Sequence, residues 1–132
     1  MDFKRILVAI NGTRIDEKTI ALACSLAKKN KGKVYIAYVI EIDRSLPLDA
    51  EVKPAVDRAE SAVSIAEKCA EGCDYEIVAD ILQARAAGPA LVDEATERKV
   101  DVIVLGMEYE VKFGEFTMGE VVPHLFKYAP CQ

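Results

Sequence analysis

At 132 residues, 52% of them hydrophobic, the chain has room for one domain with a real core. A formal charge of −5, from 22 acidic against 17 basic side chains, argues against non-specific nucleic-acid or anionic-membrane binding, which needs clustered Lys and Arg. Met1 to Arg5 leads into only five apolar residues, too few for a signal-peptide core or a membrane span. A cytoplasmic protein is therefore expected, with Cys24, Cys69, Cys73 and Cys131 reduced.

Phe3 to Ile10 ends in a short apolar run before Asn11-Gly12, the pattern of a buried strand with a turn at its carboxyl end. From Thr13 to Asn30, Ile15, Thr19, Leu22, Ala23, Leu26 and Ala27 recur at helical spacing. Thr13 or Asp16 is placed to start this helix and Lys31-Gly32 to stop it. Lys28, Lys29, Lys31 and Lys33 gather at the helix end, where cations complement the dipole. Lys33 to Ile40 is a second strand, completing a βαβ unit with a right-handed crossover. Glu41 to Ala50 reads as a loop. A second helix is expected from Asp49 or Ala50 to about Glu71, with Pro54 in its first turns and Gly72 as its C-cap. Tyr75 to Leu82 is the third strand. Ala86-Ala87-Gly88-Pro89 opens a helix through about Arg98, and Asp101 to Gly106 is the fourth strand. The last helix runs from about Glu120 to Tyr128, which puts Pro123 in its first turn.

This alternation predicts an α/β fold, a doubly wound parallel sheet with helices on both faces, over a single domain spanning residues 1–132. Ligands of such sheets bind beyond the carboxyl ends of the strands, at a topological switch point. Here those ends are Ile10-Asn11-Gly12, Val39-Ile40-Glu41, Gln83-Ala84 and Leu105-Gly106. The stretch after the fourth strand has the outline of a phosphate site: Gly106, a loop from Met107 to about Thr117, then Gly119-Glu120 opening a helix. Its chemistry runs the other way. Glu108, Glu110 and Glu115 face one Lys112, and Glu120 takes the helix start that a phosphate would use. Thr117-Met118-Gly119-Glu120 fits a capping box that would satisfy the helix internally. Met107, Phe113, Phe116 and Met118 make the loop apolar, suited either to filling a vacated pocket or to meeting a partner.

At these residues the chain resembles the universal stress protein family. ILVAINGT is similar to that family's ILVPVDGS-type first strand and turn, and GEVVPHLFKYAPC to its GSVSxxVxxxAPC segment. The resemblance covers nearly the whole chain. It implies an adenine nucleotide alpha hydrolase-like fold of five parallel strands, and often a homodimer. The family's fifth strand follows the APC ending and is missing from this chain, so four strands are expected. The family's nucleotide binders carry G-x2-G-x9-G followed by Ser or Thr. Here Gly106 and Gly119 match, the second glycine is Tyr109 and the hydroxyl position is Glu120. The aspartate that ends the first strand in the binders is Asn11, and the preceding proline is Ala9. With Ile40 on the second strand, the resemblance implies a weak or vestigial nucleotide site at Ala9, Asn11, Ile40, Gly106, Tyr109, Gly119 and Glu120.

Tyr109 blocks the close backbone approach that glycine permits. Glu120 sets a like charge near any polyphosphate, worth about 1 kcal/mol in water at 4 Å and about 4 kcal/mol at an effective dielectric of 20. The expected function is thus a regulatory or binding domain in stress response, without tightly held ATP or another cofactor. It would act through a homodimer or a protein partner, and not on nucleic acid or membrane. The alternative is an adenine-nucleotide sensor or slow ATPase that uses the degenerate loop.

No Walker motif, nucleophile elbow or metal cluster supports a conventional enzyme. His124, the single histidine, has no ligand partner at clear spacing, and no nucleophile stands beside it. Cys69 and Cys73 share a helix face, where packing and capping compete with a redox role.

Overall fold

Period-two alternation sends successive strand residues to opposite faces, and in this chain both sets are apolar, so each face needs a cover of helices. The computed structural model describes residues 3–107, 110–112, 115–117 and 120–132. Its elements are β1 (Arg5–Ile10), α1 (Ile15–Asn30), β2 (Lys33–Glu41), α2 (Lys53–Gly72), β3 (Ile77–Ala84), α3 (Ala87–Arg98), β4 (Val102–Leu105), β5 (Glu110–Lys112), β6 (Glu115–Thr117) and α4 (Val121–Tyr128). The main sheet has the order β3-β2-β1-β4, with every pair parallel. This is the expected doubly wound α/β fold with four strands.

Ile6, Val8 and Ile10 of β1 and Val34 and Ile36 of β2 pack with Ile20, Ala23, Cys24 and Ala27 of α1 and Ala62, Ala66 and Ala70 of α2. On the other face, Leu7 and Ala37 pack with Leu91 and Ala95 of α3 and Leu125 of α4. The alanines let the helices lie close to the sheet, and burial of the branched residues stabilises each layer by roughly 1.5–3 kcal/mol per side chain.

Three expectations are corrected. The segment read as a loop from Met107 to Thr117 contains an antiparallel pair, β5 with β6, in the register Glu110↔Thr117, Val111↔Phe116 and Lys112↔Glu115. Val111, Phe116 and Thr117 favour strands, but runs of three residues are too short to show alternation against four charged neighbours. Thr117 therefore lies in β6 and does not cap α4. The N-cap of α4 is Glu120, with no side-chain capping bond, and Pro123 falls in the first turn. Gly72 is the last residue of α2 and not its cap; the left-handed backbone falls on Asp74 (φ 55°) after Cys73. A similar exchange ends α1. Lys31 takes the left-handed conformation, while Gly32 is needed because a Cβ there would sit 2.8 Å from the Phe3 carbonyl oxygen.

Gln132 continues the sheet by one residue. Its N–H donates to the Asp101 carbonyl (3.4 Å) and its carbonyl accepts from the Ile103 N–H (2.6 Å), along the side of β4 away from β1. Among the described residues, no helix is long and apolar enough to cross a membrane.

Candidate functional site

The chain runs outward from β1 through β2 to β3, then returns across the sheet to β4, so the switch point lies between β1 and β4. The register pairs Ala9 with Leu105. Asn11 and Gly106 therefore follow neighbouring strands at the same edge of the sheet. Three of the expected site residues, Ala9, Asn11 and Gly106, are brought together at this crevice. Ile40 stands on β2, the strand on the other side of β1, but it is 4% exposed and packs with Ile42 and Ala59 on the α2 face. Ala9 packs on the α3 and α4 face, so the two side chains lie on opposite sides of the sheet. Glu120 is exposed at the start of α4. Tyr109 and Gly119 lie outside the described residues. So do Phe113 and Met118, and with them the choice between a filled pocket and a partner surface.

The turn after β1 is closed by its own side chains. The Asn11 amide oxygen accepts from the Thr13 N–H (3.0 Å) and the Thr13 hydroxyl (2.7 Å). Asp16, in the first turn of α1, accepts from the Asn11 N–H (3.2 Å) and the Gly12 N–H (2.8 Å). Gly12 supplies the left-handed backbone, with φ of 81°. Asp16 is buried, and that burial pushes its pKa up, while the Asn11 and Gly12 N–H groups pull it down less strongly.

Gly106 serves a different need. A Cβ there would lie 2.6 Å from Ile15 Cγ1 and from Thr19 Oγ1. The Thr19 hydroxyl is itself committed to the Ile15 carbonyl at 2.9 Å. The first glycine of the loop thus lets β4 end against α1, whatever else it does for a ligand.

Sequence reasoning missed the side chains that shape the rest of this edge. Arg85, after β3, donates to the carbonyls of Ile42, Asp43 and Leu46, and Gln83 donates to those of Leu48 and Ala50. Together they pin the β2–α2 connection. Glu41 accepts from the Ala87 N–H (3.3 Å), so its carboxylate already occupies the amino end of α3. A lone Arg among alanines at 84–87 was the available signal for the first. His124 abuts α3, where a Cβ on Gly88 would lie 2.9 Å from its ring; it is a half-buried packing residue with Tyr128 4.6 Å away. Among the described residues, no group of three His, Cys, Asp or Glu side chains is arranged to hold a metal ion.

Comparison with known proteins adds to this geometry. The Universal stress protein family matches residues 2–132. A universal stress protein of Methanocaldococcus jannaschii is 24% identical over 135 residues, covering 98% of this chain and 79% of its own length. A solved universal stress protein of Archaeoglobus fulgidus superposes with a TM-score of 0.81 at 19% identity, over 98% of this chain and 95% of that one. A structure from the same organism in complex with dAMP gives a TM-score of 0.76 at 20% identity, over 99% and 95%.

Proposed function

The chain belongs to the universal stress protein family, and on that premise we propose that it is a regulatory binding domain that does not hold ATP tightly. The observation that carries this reading is Glu120. An exposed carboxylate stands at the N-cap of α4, the place where a polyphosphate would meet the helix dipole. Asn11 supports it, because the amide oxygen that could accept from a base or ribose is already bonded within its own turn. The residues present at Asn11 and Glu120 fit a triphosphate poorly. The domain acts as a homodimer or on a protein partner, a reading that sedimentation of the purified protein checks.

Calorimetry with Mg-ATP tests the main claim. The expected result for the wild-type protein is no saturable heat up to millimolar ATP. Tyr109→Gly combined with Glu120→Ser removes bulk and charge and is expected to tighten binding at least tenfold. Micromolar binding by the wild-type protein would overturn the reading.

A second reading is an adenine-nucleotide sensor. It is favoured by the shared fold of the dAMP complex and by the kept crevice at Ala9, Asn11 and Gly106. A monophosphate meets less repulsion from Glu120 than a triphosphate does, so AMP binding more tightly than ATP is the result this reading requires.

A further inference from the structure

Three cysteines lie at one end of the α1–α2 layer. Cys24 is 1% exposed within α1, and the half-buried Cys69 and Cys73 of the α2 carboxyl end pack against the same cluster. Lys28 stands one turn after Cys24 on the same face of α1, and its ammonium donates to the carbonyl of Cys73. That contact holds the end of α2 over Cys24. Cys73 is further fixed by its own N–H, which donates to the carbonyls of Cys69 (3.2 Å) and Ala70 (3.1 Å). Cys24 and Cys73 thus share one packed cluster, with the Lys28 contact bringing the end of α2 against α1 beside Cys24.

We propose that Cys24 and Cys73 are a modification site, forming a reversible intramolecular disulfide by exchange with a low-molecular-weight disulfide such as oxidised glutathione. The bond would tie α1 to the residue that caps α2. Cys73 follows the end of α2 with its N–H still bonded to the Cys69 carbonyl, and at such a near-helical spacing of four Cβ atoms stand about 5–6 Å apart, beyond the roughly 3.5–4.5 Å a disulfide needs.

The order of events follows from exposure. Cys73 is the accessible partner, so its thiolate attacks one sulfur of the oxidant. The oxidant's S–S bond breaks, and the released small thiolate takes up a proton equivalent to the one Cys73 lost. Cys24 then loses its proton to solvent base and attacks the Cys73 sulfur of the mixed disulfide. The second small thiolate leaves and is protonated. Two protein thiols are oxidised and one small disulfide is reduced to two thiols. Burial pushes the Cys24 pKa up to about 11, the neighbouring Cys73 sulfur adding to the rise and the Lys28 ammonium opposing it. Cys24 therefore stays protonated near neutrality, and the second step is slow and accelerates with pH.

The test is incubation of the full chain with oxidised glutathione at pH 7 and pH 9, then alkylation, intact mass and peptide mapping. The expected product has lost two hydrogens, maps to a peptide linking Cys24 with Cys73, forms faster at pH 9 and reverts with dithiothreitol. Cys24→Ser stops at a glutathione adduct on Cys73, while Cys69→Ser with Cys131→Ser still cross-links. No cross-link in the wild-type chain, or one through Cys69 or Cys131, overturns the proposal. The wild-type protein also supplies a reading independent of any variant. Closing a loop of about fifty residues should raise Tm by roughly 5–15 °C, and an oxidised form that melts lower than the reduced one would show a bond the helices do not accept.

Discussion

Gly12 and Gly106 follow adjacent strands at the same edge of the sheet, and they are glycine for opposite reasons. Gly12 has a backbone that side chains avoid, φ of 81°, but open space around it: a Cβ would meet Ala62 and Tyr38 at 3.7 Å. Gly106 is outside that left-handed range but has no space, with Ile15 and Thr19 atoms 2.6 Å from where a Cβ would stand. The first belongs to a turn that satisfies itself through Asn11, Thr13 and Asp16. The second belongs to a connection whose helix starts without a side-chain cap. A glycine after a strand is therefore weak evidence of a phosphate site until its surroundings are known. In this chain the proposed function rests on Glu120 instead.

Substitution at Gly106 should have the largest effect. Ile15 and Thr19 are both branched at Cβ and stiff, so α1 itself must shift to admit a methyl group. Gly106→Ala is expected to cost about 1–3 kcal/mol, a fall in Tm on the order of 5–10 °C. Adding Thr19→Ala removes one of the three overlapping atoms and should recover part of the loss. A double-mutant cycle with no coupling would show that the crowding is not at this contact.

Asp16 comes next. Asp16→Asn leaves one of two backbone N–H groups facing an amide instead of a carboxylate oxygen, at a cost of about 1–3 kcal/mol. The pH dependence has a definite sign. Burial holds the Asp16 pKa above the ordinary carboxylate value, so the folded protein binds this proton more tightly than the unfolded chain. Its contribution is full below the unfolded-state pKa and is lost as pH rises through the folded-state value. The advantage of wild type over Asp16→Asn should widen as pH falls from neutrality toward about 4. Urea midpoints across that range would contradict this if the gap stayed flat or narrowed.

The same comparison shows what could be read from the sequence. The order of elements was legible because each strand carries an apolar run and each helix a three-four spacing. The meeting of Ala9, Asn11 and Gly106 follows from that order, since return to a fourth strand beside the first makes the switch point. The opposite facing of Ile40 follows from strand alternation, which puts Ile40 on the α2 face with Val34 and Ile36, while Ala9 lies on the other face with Leu7. The role of Asp16 was hidden. As sequence it is a plausible helix start, and only the left-handed backbone at Gly12 turns two N–H groups toward its carboxylate. β5 and β6 were hidden by their shortness. The packing need of Gly106 was hidden because close approach to a ligand and close approach to a helix leave the same letter in the sequence.

The smallest effects are expected at Gly12, and they sharpen the contrast most. Gly12→Ala meets no overlap, so its cost is that of a left-handed alanine, about 1–2 kcal/mol. Asparagine tolerates that conformation better, so Gly12→Asn should cost about half as much. At Gly106 the ranking must reverse, because asparagine brings more atoms than alanine into a contact already too short. Thermal melts of the four variants therefore give a crossing pattern, with asparagine milder than alanine at 12 and harsher at 106. A common ranking at both positions would mean that one kind of constraint governs both strand ends, and the distinction between a conformational glycine and a spatial one would fail.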